Sequence, residues 1–206
     1  MLENYSGATR VHVIVGDPIA QVKSPFGVTQ AFESHGRDAI CVPAHVAPAD
    51  LTDWWAGTKR AQNIDGLIVT VPHKFACTAF CDVLSERAAF LGTVNTVRRD
   101  AQGRWHGDMF DGLGYVRAME KNGCMLKNKR ALLVGAGGGG AGVLGSGVLG
   151  GGVGAGGGAS DISTASTVFS VICTTSRAKP VEMAHSSRAW SSTTQPMPVR
   201  CLRGER

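Results

Sequence analysis

Residues 10–18 read RVHVIVGDP, a β-branched run closed by Gly-Asp-Pro, which is the pattern of a buried strand feeding a loop. A helix is expected next, with Ser24 as N-cap, Pro25 at the first helical position, and Val28, Ala31 and Phe32 as an apolar stripe before His35-Gly36. Ala39–Val46 then reads as a second strand, Pro48–Arg60 as a second helix with Leu51, Trp54 and Trp55 inward, and Gly66–Val71 as a third strand. This β-α-β-α-β alternation predicts a parallel sheet with helices on both faces. In such sheets ligands gather at the carboxyl ends of the strands.

Further along, a helix is expected to start at Lys74. Val94–Arg98 and Arg104–Gly107 read as short strands joined by a turn at Asp100-Ala101-Gln102-Gly103. Asp111–Asn122 reads as a helix with Gly123 as its C′ residue. The apolar strand 131–134 then runs into Gly135-Ala136-Gly137-Gly138-Gly139-Gly140, where a new domain is expected to begin.

Composition narrows the function classes. The 206 residues suit one large domain or two small ones, and 21 basic against 16 acidic side chains leave a net charge of +5. Residues 177–206 hold six basic and two acidic groups, so most of the excess is a tail. No arginine cluster is interleaved with aromatics, and nucleic-acid binding is not expected. Fifteen of the 28 glycines fall between Gly135 and Gly158. The uncharged stretch 131–160 is too rich in glycine to read as a membrane span. The six cysteines form no CxxC pair and read as free thiols, no metal site is expected, and polar Glu3-Asn4-Tyr5-Ser6 stands where a secretory signal would be apolar. A cytoplasmic location is expected.

Three features carry chemistry. Gly135, Gly137 and Gly140 fit G-x-G-x-x-G directly after a strand, where backbone N–H groups meet a pyrophosphate; low-complexity sequence would match equally well. Lys74 follows the strand end Val69-Thr70-Val71-Pro72-His73, which places an amine where parallel-sheet ligands bind and where it can act as general acid and base. An ordinary surface lysine fits that position too. Asp111, at a helix start, reads either as a helix-terminal carboxylate or as a partner for a catalytic amine.

Several motifs, in order, resemble the shikimate dehydrogenases and their quinate/shikimate relatives over about residues 10–142. Val15-Gly16-Asp17-Pro18-Ile19 with Ser24-Pro25 is similar to the family's opening loop, and Gly66–Lys74 resembles its G-x-N-V-T-x-P-x-K. Leu91-Gly92-Thr93-Val94-Asn95-Thr96 resembles G-A-V-N-T, Gly107–Gly112 resembles G-x-N-T-D-G, and Val134–Gly140 resembles the nucleotide loop. The resemblance implies an α/β fold, with an N-terminal parallel-sheet substrate domain at 1–106. An incomplete Rossmann-type nucleotide-binding domain at 107–165 and a disordered or aberrant tail at 166–206 would follow. It implies reversible reduction of 3-dehydroshikimate or a related cyclic keto acid with NADP or NAD. Lys74 would transfer the proton with Asp111 as its partner, Ser24 would contact the substrate carboxylate, and Thr70 and Asn95 would hold the ring. Gly135, Gly137, Gly138 and Gly140 would bind the cofactor. The expected small-molecule partner is shikimate, quinate or a related cyclic acid, and a homodimer is left open.

The departures are specific. Val22 replaces the family's first loop serine, Ile68 its strand asparagine, Thr93 its alanine, and Met109 and Phe110 its second asparagine and neighbouring threonine. Polar ring contacts are expected to be lost there, Met109 alone weakening selectivity for shikimate by one or two orders of magnitude, since an unpaired hydroxyl costs roughly 1–3 kcal/mol. Lys23 is expected to supply positive charge where the serine hydroxyl would have met the carboxylate. Beyond residue 142 the resemblance fades. Asp161 stands where the family's phosphate-gripping arginine segment would be, which favours a ribose diol and so NAD. The tail lacks the family's late glutamine motif and terminal helix, so a truncated or frameshifted chain is expected. The alternative function is a non-catalytic substrate-domain fragment that binds a cyclic acid weakly or not at all.

Overall fold

In the computed structural model, residues 5–125, Gly138 and the strands 130–134, 154–155 and 170–174 are described. Strand β1 (Arg10–Gly16) pairs in parallel with β2 (Ala39–His45) on one side and with β3 (Ile64–Val69) on the other. Val13, Ile14 and Val15 are each at most 5% exposed, so the β-branched run is covered on both faces, as a central parallel strand requires. Between β1 and β2 lies α1 (Ser24–Ser34), and between β2 and β3 lies α2 (Leu51–Arg60), preceded by a 3-10 turn at Pro48–Asp50.

Helix α1 starts one residue earlier than its capping pattern suggests. Lys23 occupies the N-cap without a side-chain cap bond, and Ser24 lies inside the first turn with Pro25. Ala31 is exposed; the inward contact is made by Thr29, whose hydroxyl accepts a hydrogen bond from the Cys41 N–H at 3.0 Å.

After β3 the chain forms a turn and a 3-10 segment, Ala76–Phe80, instead of the α-helix expected from Lys74. The reason is local: the Lys74 carbonyl accepts from the Val94 N–H at 3.0 Å, while the Thr78 N–H donates to Phe75 at 3.2 Å, which tightens the turn to i→i+3 bonding. A two-residue strand β4 (Val83–Leu84) and a short helix α3 (Glu86–Leu91) follow. The hairpin of β5 (Thr96–Arg99) and β6 (Trp105–Asp108) turns at Gly103, whose φ is +80°. The sheet order is β2-β1-β3-β5-β6-β4. Its parallel part is β2-β1-β3, and the hairpin extends it through antiparallel β3–β5 and β5–β6 pairs.

One face of this sheet carries the core. Val13, Val15, Leu67, Val69 and Val97 pack with Leu51, Trp55 and Trp105, and Trp55 stacks on Phe80 at 5.3 Å while meeting Trp105 edge-on at 5.2 Å. Burying each large side chain of this kind contributes roughly 1.5–3 kcal/mol.

The chain divides into two units, Met1–Gly112 and Leu113–Arg206. In the second, α4 (Asp111–Lys121, begun in the first unit) buries Val116 and Met119 with Cys124, and the chain leaves it at Gly123 with φ +83°. Cys124 is disulfide-bonded, so the expectation of free thiols holds at Cys41, Cys77 and Cys81 and fails at Cys124. A three-stranded sheet of order β8-β7-β9 is formed by β7 (Arg130–Val134), β8 (Gly154–Ala155) and β9 (Ser170–Thr174), with β7 parallel to β8 and antiparallel to β9. Strand β9 lies in 166–206, where no element was expected; its Val171-Ile172 core has the β-branched character that strands favour. Among the described residues, no helix is long and apolar enough to cross a membrane.

Candidate active site

Lys74 closes the turn that leaves β3. His73 before it is 1% exposed, and its Nε2–H donates to the Val46 carbonyl at 2.8 Å. With the Val94 N–H on its own carbonyl, the Lys74 backbone is tied on both sides. The side chain is 14% exposed, and Nζ donates to Asp111 Oδ2 at 2.5 Å. Asp111 opens α4, where a negative charge complements the unpaired N–H groups and dipole of a helix start.

Asn95 supplies the third group. Its carbonyl accepts from the Val69 N–H at 2.8 Å and its N–H donates to the Asp108 carbonyl at 3.0 Å, so β3 and β6 both hold it. Its Nδ2 donates to Asp111 Oδ1 at 2.5 Å, and its Oδ1 accepts from the Phe110 N–H at 2.8 Å and the Thr96 hydroxyl at 3.2 Å. Each Asp111 oxygen therefore has its own donor. An ammonium and a carboxylate held this way, in a partly dry place, can pass one proton to or from a ligand oxygen while the charge stays balanced.

Lys74, Asp111 and Asn95 are thus joined by direct hydrogen bonds. Thr70 lies in the same turn, its N–H on the Val15 carbonyl at 2.9 Å. Gly16 opposite it leaves no room for a side chain: a Cβ there would stand 2.4 Å from Thr70 Cγ2 and 2.9 Å from the Val71 carbonyl oxygen. Ser24 is half-buried and Lys23 exposed at the start of α1. No hydrogen bond among the described residues links the side chains of Thr70, Ser24 or Lys23 to the three-residue cluster. Of the cofactor residues, Gly138 is helical, and Gly135, Gly137, Gly140 and Asp161 lie outside the described residues.

Of the departing positions, Met109 is fully buried. Thr93 is equally buried, with a hydroxyl that has no partner among the described residues. Phe110 is exposed and lies under the Arg87 guanidinium at 4.8 Å.

One residue of this loop was not singled out from sequence. Asp108 accepts from the Ser85 hydroxyl at 2.6 Å, from the Met109 N–H at 2.7 Å and from the Arg87 guanidinium, which reaches both carboxylate oxygens at 2.9 Å. Burial pushes its pKa up, but these donors outweigh burial and hold the carboxyl below the usual range.

A cavity of about 1000 Å³ lies along the other sheet face, lined by His12, Phe32, Ile68, Thr96 and Arg98 and by the Arg10–Asp65 ion pair. It includes neither Lys74 nor Asp111. We place the candidate site at the hydrogen-bonded cluster, where the groups able to do chemistry converge.

Residues 14–97 match the shikimate dehydrogenase substrate binding domain. Among curated proteins, the chain is 41% identical over 126 residues to a shikimate dehydrogenase (NADP(+)) of Lysinibacillus sphaericus, covering 61% of this chain and 45% of that protein. It is 40% identical over 132 residues to one of Thermococcus kodakarensis, covering 64% and 47%. Among solved structures, the shikimate 5-dehydrogenase of Listeria monocytogenes in complex with shikimate and NAD superposes with a TM-score of 0.63 at 31% identity, covering 69% of this chain and 49% of that one. The Thermus thermophilus enzyme in complex with NADP(H) and shikimate gives 0.62 at 31% identity, covering 68% and 52%. The chain spans about half the length of the relatives it matches. The ordered motifs, the mixed six-stranded sheet and these likenesses agree: over about its first two thirds the chain is similar to the shikimate dehydrogenases, and residues 14–97 match their substrate-binding domain.

Proposed function

We propose that this chain is a shikimate dehydrogenase-like oxidoreductase of the cytoplasm, acting reversibly between a cyclic hydroxy acid of the shikimate or quinate kind and its ketone, with NADP or NAD. The observation that supports it above all is the 2.5 Å contact from Lys74 Nζ to Asp111, with Asn95 on the other carboxylate oxygen. In the reducing direction the Lys74 ammonium gives its proton to the oxygen of the ring ketone. Asp111 orients that ammonium beforehand and takes up hydrogen bonding from the amine afterwards. In the oxidising direction Lys74 removes the hydroxyl proton.

Ser24 and Lys23, together at the start of α1, meet the carboxylate of the acid, one through a hydroxyl and the other through its charge. Thr70 and Asn95 bound the ring from the β3 turn and from the start of β5. Gly135, Gly137, Gly138 and Gly140 follow β7 and would hold the dinucleotide phosphates through backbone N–H groups, with Asp161 toward the ribose. A bound nicotinamide supplies the hydride chemistry.

Purified protein given shikimate and NADP⁺ or NAD⁺ should generate absorbance at 340 nm, and Lys74→Ala should lower the rate by at least the 10²–10⁴-fold typical of lost acid–base catalysis. A second reading, a substrate domain that binds the acid without turning it over, is favoured by the confinement of the family match to residues 14–97. Calorimetric binding of shikimate with no absorbance change under either nucleotide would select it.

A further inference from the structure

We infer that Asp108, clamped by Ser85 and Arg87, is a positioning residue that fixes the orientation of the Asn95 amide and thereby leaves Asp111 Oδ2 to Lys74. The inference rests on the proposed role of the Lys74–Asp111 pair. Its geometry is a chain of hydrogen bonds. The Asp108 carboxylate takes the Ser85 hydroxyl, the Arg87 fork and the Met109 N–H, while its backbone carbonyl takes the Asn95 N–H at 3.0 Å. These contacts set the path of the backbone from 108 to 110 and bring the Phe110 N–H to 2.8 Å from Asn95 Oδ1. A backbone N–H can only donate, so the atom facing it must be the amide oxygen. The Thr96 hydroxyl adds a second donor to the same oxygen at 3.2 Å.

The Asn95 NH₂ group is therefore turned toward Asp111, and occupies Oδ1 at 2.5 Å. Rotated the other way, the amide would set its oxygen against the carboxylate and leave the Phe110 N–H unpaired. The carboxylate would then swing, and Lys74 would lose its single-oxygen partner. Arg87 also covers the Phe110 ring at 4.8 Å, which fixes the same segment from its side-chain face. A bidentate fork on a carboxylate with two further donors is a rigid anchor, because both geometry and charge resist its rotation.

The test is NMR of the full chain with ¹⁵N-labelled asparagine side chains, with the Asn95 amide assigned by its loss in Asn95→Asp. In the unaltered protein the Asn95 NH₂ protons are expected to exchange slowly. In Asp108→Ala they should exchange at least tenfold faster, while the side-chain amide of Asn122 and the backbone amides of β1 and β3 stay where they are. Asp108→Asn keeps an acceptor for Ser85 and Met109 and should restore most of the protection. Arg87→Met, which leaves Asp108 its two neutral donors, gives the same direction of change if Asp108→Ala does not fold. Unchanged Asn95 exchange in a folded Asp108→Ala or Arg87→Met protein overturns the inference. The readout needs no turnover: altered exchange in a protein inert toward shikimate would uphold the positioning role and defeat the oxidoreductase reading. In an active protein, kcat should fall about tenfold or more in Asp108→Ala with KM for the acid within threefold; unchanged kcat with unchanged exchange defeats the positioning role alone.

Discussion

Thr93 and Gly16 show how single positions near the site carry opposite debts. The Thr93 hydroxyl is fully buried with no partner among the described residues, so folding strips its water and returns no hydrogen bond. Thr93→Val keeps the shape and removes the polar atom. It should raise stability by about 1 kcal/mol, seen as a higher urea midpoint at unchanged slope. At Gly16 the added Cβ of Gly16→Ala meets Thr70 Cγ2 and the Val71 carbonyl oxygen, and a backbone oxygen cannot step aside cheaply. The expected cost is about 1–3 kcal/mol of unfolding free energy, with a displaced Thr70 detectable as weakened shikimate binding by calorimetry. At this scale the sequence was legible where a motif fixed identity and spacing: Lys74 and Asp111 meet as the resemblance implied, while the bond from Asn95 to Asp111, a residue expected only to hold the ring, was not read from sequence. Asp108 was not, because an aspartate after glycine at a strand end looks like any turn residue until the chain folds Ser85 and Arg87 onto it.

Among the elements, α3 joins local capping to the site. Ser85 is its N-cap: the hydroxyl oxygen accepts the Ala88 N–H at 3.1 Å while the same hydroxyl donates to Asp108 at 2.6 Å. Gly92 closes the helix with φ +62°. Ser85→Ala should cost about 1–2 kcal/mol in thermal or urea unfolding, the lost cap being accompanied by a lost donor on Asp108. The carboxylates that tie elements together also set an acid limit. Asp65 on β3 is held below its ordinary pKa chiefly by its hydrogen bond from Arg10 on β1, and Asp108 by donors that outweigh the effect of burial. A folded-state pKa lower than the unfolded one, about 3.9, means that stability from these groups is complete above roughly pH 5 and is lost as pH falls through 4 and below. Urea midpoints should therefore decline below pH 4, and Asp108→Asn should show a shallower decline from a lower starting point. The strands were readable because a parallel strand is buried on both faces and appears as an unbroken apolar run. The segment after Lys74 was not, since its 3-10 form depends on a carbonyl taken by Val94, twenty residues away. The hairpin was visible as a hairpin, but the pairing of β5 against β3 is a tertiary choice with no local signature.

For the whole molecule, the proposed acid-binding and proton-transfer residues Lys23, Ser24, Thr70, Lys74, Asn95 and Asp111 all fall within Met1–Gly112, whereas the glycines of the nucleotide loop follow β7 in the other unit. Composition explains why the two halves were unequally legible. Residues 1–134 combine apolar runs with 28 charged side chains, which gives burial patterns contrast, while the stretch from Gly135 to Gly158 is mostly glycine and offers no periodicity to read. The division has a thermodynamic consequence. A ligand that binds only the folded state stabilises it by RT ln(1 + [L]/Kd), about 2.7 kcal/mol at a hundredfold excess over Kd, whatever happens at a second site. If the acid is held by the first unit alone, shikimate should raise the unfolding temperature of the full chain without any nucleotide, by several degrees at that excess. Lys23→Ala and Ser24→Ala should shrink the rise, because each removes a partner for the carboxylate, while adding NADP⁺ at saturation should change the shikimate Kd by less than about threefold. A rise that appears only when nucleotide is present would mean that acid recognition depends on residues of both units, and would move the site away from the Lys74–Asp111–Asn95 cluster as a self-sufficient binding locus.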